Sequence, residues 1–327
     1  MAHNETQEGL TWWPRDARRE SLASANAQAS RNAGESQASL IDALLAGQVR
    51  AVDCAAKERA ALARAALFVA GALRRGGRLI YVGAGSSGLL ATRDGLELPG
   101  TFGIDPERIR FVTPNGERFS VDGSGEDDGG AAEAAVANLA PCANDAALAV
   151  SASGATPFTL AGARRAKTSG ARVVAIVCRT GSPLAALADA PVTLDVGREA
   201  VEGSTRLAAG TAQKAALGVI STLAAAELGW VYDSLMVNVR PDNAKLRARA
   251  QRIVARVAAV GEAAASAALT EAQNDVPVAI AAAAGRLDAA QARALVAECE
   301  GDISRILTRV NGAGAEVNSS AGMKPVG

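Results

Sequence analysis

The chain has 327 residues, of which 49% are hydrophobic and only 3% aromatic, and its 34 basic and 34 acidic side chains cancel. That length holds one large α/β domain plus a small one, with a core of Ala, Leu and Val packed through small side chains. Zero net charge without a Lys/Arg run argues against a nucleic-acid partner, and the absence of a long apolar run argues against a membrane.

Residues 1–38 read as a polar segment rich in Ser, Asn, Gln and Arg, with Trp12 and Trp13 as a local anchor; nothing in it reads as a signal peptide. From about 39 to 75 the apolar residues recur at helical spacing, among them Leu40, Leu44, Leu62 and Leu73. Strands then alternate with helices, with strands expected at 78–82, 109–113, 146–150, 172–178 and 192–196. Such Val/Ile/Leu strands, buried on both faces, predict a three-layer αβα sandwich with a five-stranded parallel sheet. A long helix follows from about Ala208 to Leu228, with Gly229 as its stop, and another starts near Asn243. Residues 257–311 read as a small helical unit, in which Thr270 with Gln273 and Asp288 with Gln291 have the spacing of capping boxes. Residues 312–327 are expected to be disordered.

Chemistry-bearing residues gather in four places. The loop Gly83-Ala-Gly-Ser86-Ser87-Gly88 leaves the first strand and satisfies GxGxxG. The second strand ends Phe111-Val112-Thr113, without the acid a dinucleotide ribose needs, so the serines point to a phosphate at a helix N-terminus. The loop Ser151-Ala-Ser153-Gly154-Ala-Thr156-Pro157 repeats that logic after the third strand. Carboxylates follow at Asp94 and Glu97, where Pro99 and Gly100 are expected to break the helix and leave Glu97 near a loop. More lie at Glu126, Asp127 and Asp128, in the Gly-rich loop 122–130. The fourth place is Glu199 to Lys214, EAVEGSTRLAAGTAQK, whose hydroxyls, Arg206 and Gln213 suit one wall of a sugar-phosphate pocket. The single histidine, His3, lies in the polar segment, which leaves acid–base work to carboxylates or Lys. Cys54, Cys142, Cys178 and Cys299 are scattered without a CxxC pair, so neither a metal site nor a disulfide framework is expected and the thiols read as reduced and cytoplasmic.

These pieces resemble the sugar isomerase (SIS) domain proteins, which implies a flavodoxin-like arrangement of the sheet. Within that group the chain is similar to the N-acetylmuramic acid 6-phosphate etherases and, more distantly, to the glucokinase regulatory protein. The resemblance spans about residues 75 to 256 and rests on RLIYVGAGSSG, ELPGTFG, GEDD, SASGATP, VGREAVEGSTRLAAGTAQK and SLMVNVRPDNAKLRARAQRIV. It implies residues 39–256 as a SIS sugar-phosphate-binding domain and 257–311 as a ubiquitin-associated-like unit. By position it implies Glu97 and Glu126 as the catalytic pair. Ser86, Ser87, Ser153, Gly154 and Thr156 would hold the sugar phosphate, with Glu199 and Ser204 toward the sugar hydroxyls.

The implied reaction is elimination of lactate from the open-chain sugar followed by addition of water, which requires no metal or redox cofactor. A homodimer with sites completed across its interface is also implied. The chain departs from the family's pattern at Leu89, Ala155 and Ala209, where basic residues are usual, and at Ser86, Leu98 and Gly100. Two other readings stand beside the etherase: a non-catalytic sugar-phosphate sensor and an aldose–ketose isomerase.

Overall fold

The computed structural model describes residues 35–114, 116 and 125–320. The segment holding His3, Trp12 and Trp13, the start of the acidic loop and residues 321–327 lie outside the described residues. Strands β1 (Leu79–Gly83), β2 (Ile109–Val112), β3 (Ala146–Ser151), β4 (Arg172–Val177) and β5 (Ala190–Thr193) are parallel, in the order β2-β1-β3-β4-β5. Every residue of β1 and β3 is buried, as central strands covered on both faces must be.

Successive strand residues point to opposite faces and so enter two different cores. Leu79, Tyr81, Leu148, Val150, Val174 and Ile176 join one apolar cluster, closed by α1 (Glu35–Lys57), α2 (Arg59–Arg74), α3 (Gly85–Phe102) and α7 (Ala208–Glu227). Ile80, Val82, Ala147, Ala149, Val173 and Ala175 join the other, closed by α4 (Gly129–Asn138), α5 (Pro157–Thr168) and α6 (Pro183–Leu187). The chain therefore forms the expected three-layer sandwich around a five-stranded parallel sheet.

Two local expectations are corrected. The fifth strand is Ala190–Thr193, paired with Val174–Val177, and not residues 192–196. Pro191 hides its start in the sequence; an edge strand tolerates the missing N–H. Secondly, Pro99 and Gly100 do not end α3, which runs to Phe102 and stops at Gly103, whose φ is +67. Proline removes one helical hydrogen bond. Burial of Leu98 and Phe102, and a 2.6 Å bond from Asn238 Nδ2 to the Phe102 carbonyl, hold the turn against that loss. Glu97 thus remains on a helical turn.

Beyond Gly229, which adopts φ +73 where α7 stops, β6 (Val231–Tyr232) and β7 (Leu235–Met236) form a short hairpin. Five helices follow: α8 (Ala244–Val257), α9 (Glu262–Glu271), α10 (Val276–Gly285), α11 (Ala289–Glu298) and α12 (Ile303–Ser320). Val237, Ile253, Val254, Leu269, Ile280 and Ile303 build a third core there. Asn243 caps α8 by accepting from Leu246 N at 2.9 Å, and the Asp288–Gln291 capping box forms. The Thr270–Gln273 box does not. Thr270 lies in the last turn of α9 and donates to the Ser266 carbonyl, while Gln273 and Asn274 end that helix with φ of 58 and 66. Asp275 caps the next helix instead.

Candidate active site

In open parallel sheets ligands bind beyond the carboxyl ends of the strands, where the strand order reverses. Here that point lies between β1 and β3, which pair through Val82↔Ala149 and Gly83↔Val150. Both Gly/Ser loops leave the sheet there.

The first loop turns from β1 into α3. Gly85 adopts φ +54, and a Cβ on Gly88 would lie 2.7 Å from the Gly83 carbonyl oxygen, so strand and helix approach through glycine alone. Ala84 is the N-cap residue and offers no side-chain acceptor, so the first N–H groups of α3 suit an anion. Ser86 is half-buried at this turn. Ser87 is buried, with Oγ 3.1 Å from Oε1 of Gln213 on α7. A shallow cleft beside the loop is lined by Gly85, Leu89, Thr92 and Thr113.

The second loop gathers three hydroxyls. Ser151 Oγ lies 2.9 Å from Thr156 Oγ1 and 3.4 Å from Ser153 Oγ, and accepts from Gly154 N at 3.1 Å. Gly154 has φ +63, and a Cβ there would fall 2.3 Å from Ser182 Oγ. Thr156 precedes Pro157 at the start of α5. The sequence reading heads this loop with Ser151 but leaves it out of the phosphate ligands; in the structure Ser151 ends the buried strand β3. The Ser-x-Ser-x-x-Thr spacing is the signal that finds it.

Glu126 bridges the two loops. A Cβ on Gly85 would lie 2.5 Å from Glu126 Oε1, so the carboxylate rests against the first loop. Its carbonyl accepts from Phe158 N at 3.0 Å, at the start of α5. Burial raises its carboxyl above the ordinary glutamate range, and the charge of Asp127 adds to the rise. Asp128 is used locally, capping α4 through Ala131 N at 2.8 Å.

Glu97 is elsewhere. It sits roughly three turns beyond Gly85, about 18 Å along α3. Its side chain is exposed and pairs with Arg93 at 3.0 Å. Within one chain the two glutamates do not meet.

The stretch from Glu199 to Lys214 is largely tied inward. Glu199 accepts from Ala208 N at 2.8 Å and Ala209 N at 2.9 Å, so its carboxylate caps α7 and meets the positive end of that helix. Ser204 sits in the turn before α7, its carbonyl accepting from Leu207 N. Thr211 donates to Gln48 of α1. Of the positions lacking a basic residue, Leu89 and Ala155 are exposed and Ala209 is buried. Among the described residues no group of three or more His, Cys, Asp or Glu could hold a metal ion. In this arrangement the Glu126 carboxylate, raised in pKa, can act as a base beside hydroxyls and backbone N–H groups suited to a phosphate ester.

The SIS domain family matches residues 48–178. The chain is 45% identical to the N-acetylmuramic acid 6-phosphate etherase of Deinococcus radiodurans over 72% of its own length and 76% of that protein. It is 42% identical to the enzyme of the same name from Rubrobacter xylanophilus, over 71% and 78%. It is 38% identical to N-acetylmuramic acid 6-phosphate etherase 1 of Bacillus licheniformis, over 74% and 80%. Among solved structures it resembles a phosphoheptose isomerase from Francisella tularensis, with a TM-score of 0.40 and 18% identity over 59% of this chain and 96% of that one. It also resembles the Vibrio vulnificus NanR protein complexed with ManNAc-6P, with a TM-score of 0.42 and 19% identity over 64% and 67%.

Proposed function

The chain belongs to the N-acetylmuramic acid 6-phosphate etherase family, and from that premise we propose how its residues divide the reaction. The enzyme is a carbon–oxygen lyase. It cleaves the D-lactyl ether of N-acetylmuramic acid 6-phosphate to N-acetylglucosamine 6-phosphate and D-lactate. The sensor and isomerase readings are not favoured, since relatives 38% to 45% identical are etherases.

An ether on carbon 3 resists direct hydrolysis, but the aldehyde of the open-chain sugar acidifies the hydrogen on carbon 2. Glu126 removes that proton, the carbon 2–carbon 3 double bond forms, and the carbon 3–oxygen bond breaks. Glu97 protonates the departing lactyl oxygen and then takes a proton from the water that adds at carbon 3, while Glu126 returns its proton to carbon 2. Each proton transfer by a positioned carboxylate is worth about 10²- to 10⁴-fold. Ser86, Ser87, Ser153 and Thr156 hold the phosphate around Gly154, whose own N–H is taken by Ser151, while Ser204 faces the sugar hydroxyls and Glu199 meets them with the lone pairs that its helix cap leaves free. One observation carries this reading: the Glu126 carboxylate rests on the first loop while its backbone is pinned to the helix that follows the second.

Glu126→Gln should abolish deuterium exchange at carbon 2 in D₂O; retained exchange would assign the base elsewhere. Because burial raises the Glu126 carboxyl, kcat/KM should climb with pH along a limb displaced above the ordinary glutamate pKa of about 4.3. A profile already flat at that pH would contradict a half-buried base of raised pKa.

Glu97 acts, on this reading, in the site of a second copy. Its neighbour Leu96 is exposed, as are Ile41, Leu45 and Val49 on α1 and Val219 and Leu223 on α7. Apolar surface on that scale fits a homodimer interface. Among the described residues no single helix is long and apolar enough to cross a membrane. Free thiols at all four cysteines fit a cytoplasmic enzyme.

A further inference from the structure

Gln213 is 1% exposed, on the side of α7 that meets the first Gly/Ser loop. Its Oε1 lies 3.1 Å from Ser87 Oγ, a contact in which the serine gives its only proton inward. Its Nε2 is shut off from solvent and reaches no acceptor among the described residues. A buried amide nitrogen with both N–H bonds unmet is rarer than an under-used carbonyl, which has two lone pairs to satisfy. Turning the amide by 180° exchanges the two atoms in nearly the same positions. Nε2 then donates to Ser87 Oγ across the same distance, and the carbonyl takes the unpartnered place.

The consequence lies at Ser87. A phosphate dianion only accepts hydrogen bonds, so a serine whose proton points into α7 presents it with lone pairs. Once the amide nitrogen occupies one of those lone pairs, the proton is released toward the mouth of the loop, where the uncapped N–H groups of α3 already favour an anion. We propose that Gln213 is a positioning residue for phosphate recognition, its amide nitrogen donating to Ser87 Oγ and committing the Ser87 hydroxyl to the phosphate of the substrate. This rests on the reading that Ser87 meets the phosphate.

The test compares wild type with Ser87→Ala, Gln213→Met, Gln213→Glu and the Ser87→Ala/Gln213→Met double variant. D-lactate release gives kcat and KM for N-acetylmuramic acid 6-phosphate, and inorganic phosphate as competitor gives Ki. Ser87→Ala should raise KM and Ki about 3- to 10-fold with kcat nearly unchanged. Gln213→Met should raise both about 2- to 3-fold in the wild-type background and add nothing once Ser87 is alanine. Gln213→Glu, which when ionised only accepts, should raise both about tenfold or more. Relative to wild type at the same pH, that defect should recede in acid, where a protonated glutamic acid donates as the amide does. If Gln213→Met weakens binding equally in the Ser87→Ala background, or lowers kcat while sparing KM, the positioning role is wrong. A Gln213→Glu defect independent of pH overturns it too, even if the methionine variant fails to fold. Ser87→Ala without effect on Ki would instead sink the reading of Ser87 as a phosphate ligand.

Discussion

Asp145 is 1% exposed and yet charged. Arg78 donates to it from Nη2 at 2.7 Å and Nε at 3.3 Å, and the backbone N–H groups of Arg78 and Cys142 add bonds at 2.7 and 3.0 Å. Burial pushes the carboxyl up, but these hydrogen bonds outweigh it and hold the group below the ordinary aspartate range. Arg78→Ala would strand a buried carboxylate. Breaking such a pair costs about 3–5 kcal/mol. The Arg78 side chain is 27% exposed, so the lower end applies. Urea denaturation should report a loss of about 3 kcal/mol, and a loss below about 1 would mean that water already screens the pair. A depressed native pKa stabilises the fold above the unfolded value of about 3.9 and ceases to do so as pH falls through the native value. The gap between wild type and variant should therefore close in acid. Asp94 carries the same lesson. In the sequence it stands beside Glu97 as one more acid, but Tyr81 Oη donates to it at 2.9 Å and Ser221 Oγ lies 3.3 Å away. Burial raises its carboxyl, and it joins β1, α3 and α7.

At the scale of elements, the glycines of the first loop decide where Glu126 can stand. Gly85→Ala would place a methyl in the left-handed region, 2.5 Å from the Glu126 carboxylate. Misplacing a catalytic group by about 1 Å costs about 10²-fold, so D-lactate release should fall by at least that much, with stability reduced by about 1–2 kcal/mol. An alanine variant with wild-type kcat would show that Glu126 need not stand there. This loop was legible because GxG after an apolar strand is a local demand on backbone conformation. The end of α3 was not. Proline argues against a helix locally, and it is burial of Phe102, against residues remote in the chain, that keeps the last turn. Thr270 failed as a cap for a related reason. Its spacing to Gln273 is right, but the Ala-rich helix had already begun at Glu262.

For the whole molecule, Glu97 and Glu126 stand apart within one chain, so the proposed division of roles requires a second copy to complete the site. Leu45→Asp with Leu223→Glu should convert a dimer into a monomer in sedimentation and abolish activity. A wild-type chain that sediments as a monomer at micromolar concentration would remove the basis for a shared site. Complementation is sharper. Glu97→Gln and Glu126→Gln homodimers should each be nearly inactive. Random exchange of their subunits gives half heterodimers, each with one intact site, so about a quarter of wild-type activity should return. No recovery would mean that the two carboxylates do not act across an interface.

The α/β class, the two Gly/Ser turns and the family were legible in the sequence. All of these depend on short-range signals: strand periodicity, glycine where only glycine fits, and hydroxyls beside a helix start. Only the tertiary structure decided which of those groups meet. Strand order β2-β1-β3-β4-β5 sets both Gly/Ser loops side by side and lowers Glu126 between them. Packing of α7 on α3 gives Ser87 its partner in Gln213 and leaves Glu97 facing outward, while the loop before α7 folds back so that Glu199 caps that helix. Periodicity specifies the faces of an element, but contacts between residues more than a hundred positions apart follow from how the layers stack.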